Sequence, residues 1–339
     1  MPTPITVARA QPGYLAHFPD IVRLTDGRLL AAYREGTSHV SPDGRVCAVE
    51  SADGGRTWGS PWIVIDGAYD DRDPKLAQLA DGSLLLSYFV IDWSTRPRHT
   101  TLGTYVRRST DGGRTWSEPA PVGTSMAGPD GLPPPAVRGW AASHGAAVEL
   151  PGGDLLLPLY GKPPHHAWQQ ATVVRSTDGG LTWPAEGETL VAAADGVHFQ
   201  EPTLTVLDGQ VVALIRTTLG YAFLSRSTDG GRSWSTPAPT GMQASSHHAL
   251  LLRTGEVLVT YGDLSPRFSP HRDTVGRLVR RPLLTWDGYA DVQLYDSGHS
   301  DQANPSSVEV VPGSFLTLSF DVGAAAVVGV FTGPDDYPP

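Results

Sequence analysis

The chain of 339 residues sets 35 Asp and Glu against 25 Lys and Arg, a formal net charge of −10. That balance argues against a surface that neutralises a nucleic-acid backbone. A hydrophobic content of 40% with 38 Gly and 30 Pro suits a globular protein of many short strands, because Gly and Pro punctuate strands and break helices. Its single Cys47 excludes an intramolecular disulfide framework, and no CxxC pair points to zinc, so neither a metal nor a cofactor is expected.

The opening run "MPTPITVARAQPGYL" lacks a basic segment followed by an apolar one, so no secretory signal is expected. No stretch approaches the roughly 20 apolar residues of a membrane span. The expectation is a soluble cytoplasmic protein without membrane or nucleic-acid partners.

From there the chain repeats one unit, two alternating apolar segments around a Gly turn. The copies are "FPDIVRLTDGRLLAAYR" (18–34), "DPKLAQLADGSLLLSYF" (73–89), "HGAAVELPGGDLLLPLY" (144–160), "EPTLTVLDGQVVALIR" (201–216), "HHALLLRTGEVLVTYG" (247–262) and "NPSSVEVVPGSFLTLSF" (304–320). Each reads as a β-hairpin, with turn glycines at Gly27, Gly82, Gly153, Gly209, Gly255 and Gly313. A strand repeat of this period predicts an all-β propeller whose repeats are four-stranded blades.

A second repeat falls between the hairpins. "SADGGRTW" starts at Ser51, "STDGGRTW" at Ser109, "STDGGLTW" at Ser176 and "STDGGRSW" at Ser227. In the first copy it follows a third strand, "GRVCAVES" (44–51), and precedes a fourth, "SPWIVIDG" (60–67). The Asp can accept N–H groups of its own turn, Gly supplies positive φ, and Trp fills the gap toward the next sheet. This is a structural clasp. "LLTWDGYADV" (283–292) is a degenerate fifth copy. The last blade has three strands before the chain ends, and "PITVARAQ" (4–11) is expected to supply its fourth and close the ring. The reading is one six-bladed domain over 1–339, with blades at 17–66, 72–123, 138–191, 198–239, 246–295, and 303–332 plus 4–11.

In a propeller the innermost strands line a central depression. First strands begin near His17, Asp73, His144, Glu201, His247 and Asn304, and second strands end near Arg34, Phe89, Tyr160, Arg216, Tyr261 and Asp321. Arginines among acids at these ends suit a carboxylate ligand, which a guanidinium binds bidentately.

The four tryptophan motifs resemble the Asp-box, or bacterial neuraminidase repeat, of the sialidase superfamily, over nearly the whole chain. The resemblance implies a six-bladed sialidase-like propeller and a carbohydrate substrate. Glu201 and Arg216, 15 residues apart, match the assisting Glu and one triad Arg of sialidases. Asp73-Pro74 matches the Asp-Pro of the second blade, and Arg34 an Arg closing the second strand of blade one. Departures are equally specific. In "HFP" His17 stands where the family has its first triad Arg, although Arg72 in "RDP" can reach the same space. Asn304 stands nine residues before Gly313, where sialidases have the nucleophilic Tyr. No Asp after Arg34 clearly matches the family's acid/base, with His39 and Asp43 both nearby. The third Arg is Arg267 or Arg272.

Three readings follow. In the first, an exo-acting glycoside hydrolase acts on an anionic sugar without the Tyr nucleophile, by inversion through water. Glu201 and Asp73 form its carboxyl pair, and Arg34, Arg72 and Arg216 bind substrate. Glu201 stays ionised beside Arg216, and Asp73 takes a raised pKa among acids such as Asp71. In the second, a lyase on an acidic sugar uses His39, His144, His247 or His248 with Tyr160. In the third, the propeller only binds carbohydrate or protein. "PPHHAW" (163–168) is read as a solvated loop, "GPDGLPPPAV" (128–137) as a loop walling the pocket, Cys47 as a packing residue, and Trp93 and Trp140 as sugar-stacking or blade-covering rings.

Overall fold

The computed structural model describes residues 2–94, 99–126 and 139–338. The Pro-rich segment 128–137 lies wholly within 127–138, outside the described residues. Six small antiparallel sheets follow one another along the chain. Their first strands are Leu15–Arg23, Asp70–Gln78, Trp140–Ser143 continued by Val148–Glu149, Phe199–Leu207, Ala244–Leu251 and Gln302–Val311. First strands of neighbouring sheets pack on one another at five of the six junctions. At the sixth the first strand of blade three packs on the second and third strands of blade two, so they ring a common axis. The molecule is a six-bladed β-propeller, and among the described residues no helix is long and apolar enough to cross a membrane.

Ring closure uses the N-terminal strand. Ile5–Arg9 pairs antiparallel with Ala326–Thr332, giving the last sheet its fourth, outermost strand and covering the outer edge of Ala326–Thr332. The apolar core is divided into wedges between blades. One wedge joins Ala16, Tyr33 and Val49 of blade one to Val308, Leu316 and Val327 of blade six.

The tryptophan motif works as a clasp between blades. In its first copy Gly55 N–H donates to Ser51 Oγ (2.9 Å), Thr57 N–H and Oγ1–H to Asp53 (2.9 and 2.6 Å), and Trp58 Nε1–H to Gly55 O (3.0 Å). The second glycine is what presses on the neighbour. A Cβ on Gly55 would stand 2.6 Å from Leu316, on Gly113 2.7 Å from Leu30, on Gly180 3.0 Å from Leu85, and on Gly231 2.5 Å from Leu156. Each leucine lies in the second strand of the preceding blade. The second glycine is therefore required both by its positive φ, +83 to +86° in the four copies, and by this approach. In blade five Trp286 stands in for the motif, buried between blades four and five with its Nε1–H donated to Pro282 O (2.8 Å).

Candidate active site

One device aims side chains at the axis. Five first strands carry a one-residue bulge, read as register shifts at His17/Asp20, Arg72/Lys75, Gln200/Thr203, Ser245/His248 and Ala303/Ser306. At each bulge a non-glycine residue takes positive φ: Phe18 (53°), Asp73 (49°), Glu201 (49°), Ser246 (49°) and Asn304 (47°), the last preceded by Ala303 (77°). Such a conformation costs of order 1–3 kcal/mol and persists only where the surrounding structure enforces it. All five residues line the same pocket of about 390 Å3. Four of them precede proline, at Pro19, Pro74, Pro202 and Pro305. In blade three the first strand instead breaks at Gly145, where a Cβ would meet Pro202 O at 2.6 Å. That blade contributes Trp140 and Tyr160 to the pocket.

Two expected site positions shift by one residue as a result. In blade one the bulge presents Phe18 and buries His17; in blade five it presents Ser246 and buries His247. His17, His144 and His247 are 0 to 3% exposed, and none lines the pocket. Burial pulls His144 down to about 3 and His247 to about 4, so both are neutral imidazoles.

Glu201 is held at both oxygens. Arg216 Nη1–H donates to Oε1 at 2.7 Å, and Ser246 N–H and Oγ–H donate to Oε2 at 3.0 Å each. Burial opposes ionisation, but the neighbouring charge of Arg216, with Arg272 further off, holds the carboxyl down at about 2. Asp73 differs in kind. Among the described residues its Oδ1 is buried without a hydrogen-bond partner, and the nearest guanidinium contact, Arg72 Nε, is at 4.0 Å. Burial raises the Asp73 carboxyl, Arg72 and Lys75 opposing and Glu201 assisting. Asp71 is not the cause: its carboxylate turns away to accept Gly67 N–H at 2.8 Å. One pocket thus holds an anionic carboxylate and a carboxyl pushed toward its neutral form.

Three guanidinium groups share this pocket, those of Arg72, Arg216 and Arg272. Arg216 is matched by Glu201, and Arg72 donates to Asp70 (3.0 Å) and to His39 O (2.8 Å). Among the described residues Arg272 donates only to neutral acceptors, Gln302 O and Asn304 Oδ1 (2.8 Å). Arg272, and not Arg267, is the third arginine at the pocket. Arg267 pairs with Asp263 and Asp291 (2.7 and 2.5 Å) away from it.

Arg34 is not at the pocket either. It is fully buried, donating to Asp70 (2.7 Å), Ser41 Oγ (3.0 Å) and Ser38 O (3.1 Å). The other Asp70 oxygen accepts from Arg72 and from Trp93 Nε1 (2.8 Å). Arg34 therefore acts through Asp70 to fix Arg72 and Trp93. Gly36 and Gly44 make room, since a Cβ on either would collide with the Arg34 guanidinium. Asp43 is spent on its own loop, accepting Thr37 N–H at 3.2 Å, while His39 lines the pocket and meets Asp301 at 2.8 Å. The Tyr160 hydroxyl has no hydrogen-bond partner among the described residues, and its ring packs edge-on against Trp140, centroids 5.6 Å apart. Burial pushes the thiol of Cys47 up to about 12, in keeping with a packing role.

The family model for the BNR repeat-like domain matches residues 27–287. The chain belongs to that family. Among curated proteins this BNR propeller is 29% identical over 238 residues to a sialidase of Micromonospora viridifaciens. That alignment takes in 64% of this chain and 35% of the relative, so the chain spans about a third of the length of the protein it matches. Among solved structures it resembles a protein of unknown function from Dyadobacter fermentans (24% identity, TM-score 0.81, 97% of both chains). It also resembles the Hadza microbial sialidase Hz136 (17%, TM-score 0.73, 96% of this chain and 66% of that one). The NanB sialidase of Streptococcus pneumoniae gives a further likeness (13%, TM-score 0.72, 98% and 70%). These likenesses establish a sialidase-like BNR propeller.

Proposed function

We propose that this protein is an exo-acting glycoside hydrolase of the sialidase superfamily that removes an anionic sugar held through its carboxylate. The observation that carries the reading is the meeting of Arg72, Arg216 and Arg272 in one pocket with Glu201 and Asp73. Arg272, bonded only to neutral acceptors, is the cation with most to gain from a carboxylate ligand. The sialidase relative and the sialidase structures with the same fold support the substrate class.

The two carboxyl groups suit complementary roles. Glu201, ionised, takes a proton from a water that attacks the anomeric carbon. Asp73, favoured in its neutral form by burial, gives a proton to the departing glycosidic oxygen. Asn304 stands where the resemblance places a Tyr nucleophile, so a water-mediated, inverting displacement is the route proposed. Tyr160 and Asn304 orient the sugar, and Trp93 and Trp140 give it flat faces to stack on. Of the groups in the lyase reading, His144 and His247 are buried outside the pocket, which leaves that reading His39 and Tyr160.

The test is product release from a panel of sialosides, other 2-keto-3-deoxy acid glycosides, uronides and neutral glycosides. Turnover confined to carboxylate-bearing members is expected. Turnover of neutral members alone would overturn the substrate class. Saturable binding of the acidic members with no turnover would make the propeller a binding module.

A further inference from the structure

Beside the carboxyl pair, and independent of the activity proposed for it, lies a second cluster. His17, His39 and Asp301 come from blade one, the loop after its second strand, and the approach to blade six. One possible donor atom from each lies within 4.8 Å of the others. His39 Nδ1 is 2.8 Å from Asp301 Oδ1, and His17 Nε2 is 3.7 Å from Asp301 Oδ2. The second distance is too long for a hydrogen bond. Two ligands on a tetrahedral zinc with bonds of about 2.0–2.1 Å stand roughly 3.3 Å apart, between the two observed spacings.

His17 makes the cluster unusual. It is fully buried, and among the described residues neither Nδ1 nor Nε2 has a hydrogen-bond partner. A buried imidazole with both nitrogens unsatisfied is costly unless another group uses one of them. Phe18 and Phe320 wall it in, with ring centroids 5.3 and 5.2 Å from His17. The opposite side is open: the His39 and Asp301 side chains are 44% and 37% exposed, and His39 lines the pocket. A dry floor with an open face is the form of a site that holds a metal by three protein ligands and leaves a fourth position vacant.

We propose that His17, His39 and Asp301 bind one divalent cation of the zinc class, with the open coordination position toward the pocket. Two imidazoles and one carboxylate select zinc over calcium or magnesium, which take oxygen ligands. The ligands, at 17, 39 and 301, have no short spacing that would mark them in the sequence. The grouping of His271, Asp273 and Asp296 is different, because its acids are already used. Asp273 accepts from Ser269 and Gln293 (2.6 and 3.0 Å), and Asp296 from Gly298 and Gln302 (2.8 and 3.0 Å).

The full chain, stripped with a chelator and dialysed, is titrated with ZnCl2 by calorimetry and with CoCl2 by visible absorption. One equivalent of zinc and tetrahedral cobalt bands are expected. His39→Ala and Asp301→Asn, both at exposed side chains and checked for native circular dichroism, are each expected to weaken binding at least about tenfold. His271→Ala is expected to leave it unchanged. No saturable binding by the wild type, full binding by either of the first two variants, or loss in His271→Ala would each overturn the proposal.

Discussion

Glu201 receives Arg216 on one carboxylate oxygen at 2.7 Å and two donors from Ser246 on the other at 3.0 Å, so it is anchored from blade four and blade five at once. Asp73, at the equivalent bulge of blade two, has a buried oxygen with no hydrogen-bond partner among the described residues. Equivalent backbone positions thus place two carboxyl groups in one pocket with opposite electrostatic surroundings.

That contrast predicts opposite effects on stability. Glu201 is held at about 2 against an ordinary 4.5, so its contribution is present above pH 4.5 and is lost as pH falls toward 2. Asp73 is raised above 3.8, so its contribution is present below that pH and is lost as pH rises through the folded value. Near neutral pH, Glu201→Gln is expected to cost about 3 kcal/mol, whereas Asp73→Asn raises the urea midpoint. Urea titrations of both variants at neutral pH check the signs.

Arg272→Ala removes a pocket cation whose partners are neutral. A hydrogen bond to a charged group contributes about 1.5–3 kcal/mol. The variant should therefore raise KM for a carboxylate-bearing glycoside by roughly ten- to hundredfold. Binding of the neutral alcohol analogue should change little. Initial-rate kinetics and competition binding with the two ligands separate these outcomes.

Arg34→Met tests the support beneath Arg72. The change leaves Asp70, itself fully buried, without its nearest cation. Removing one partner of a buried pair costs about 3–5 kcal/mol. The expected result is a loss of that size in urea unfolding, together with altered fluorescence of Trp93, whose indole N–H is held by Asp70.

The clasp can be tested by two glycines of similar φ. Gly231 (+83°) would place a Cβ 2.5 Å from Leu156, while Gly255 (+86°) has nothing within 4 Å. Gly255→Ala should cost about 1–2 kcal/mol for the left-handed conformation alone. Gly231→Ala should add a further ~1–3 kcal/mol of overpacking. Equal losses in thermal or urea unfolding would mean that the close approach between blades contributes nothing.

Much of the architecture is legible in the sequence because it is local. The glycine hairpins and the tryptophan turns are written in consecutive residues, and "PITVARAQ" shows an unpaired strand where the last blade lacks one. The site is legible only in part. Glu201, Arg216 and Asp73 stand at hairpin ends, where alternation can be counted. Phe18 and Ser246 stand one residue from the expected His17 and His247 because a bulge shifts register without changing composition, although the prolines after Phe18, Asp73, Glu201 and Asn304 mark most of these positions. Arg34 and Arg267 look like ligand-binding residues in the sequence. Their partners Asp70, Asp263 and Asp291 are acids whose proximity only the fold supplies. His17 and Asp301 meet across the ring closure, 284 positions apart in the chain, and no pattern of spacing reports that.

The central claim, a catalytic carboxylate at Glu201, is tested most directly by kcat/KM of wild type and Glu201→Gln on the glycoside that turns over fastest, with both proteins shown to be folded. The account predicts a fall of at least about a hundredfold in the variant. A variant within about threefold of wild type would contradict it, because removing the charge of a base that draws a proton from water cannot leave the rate unchanged.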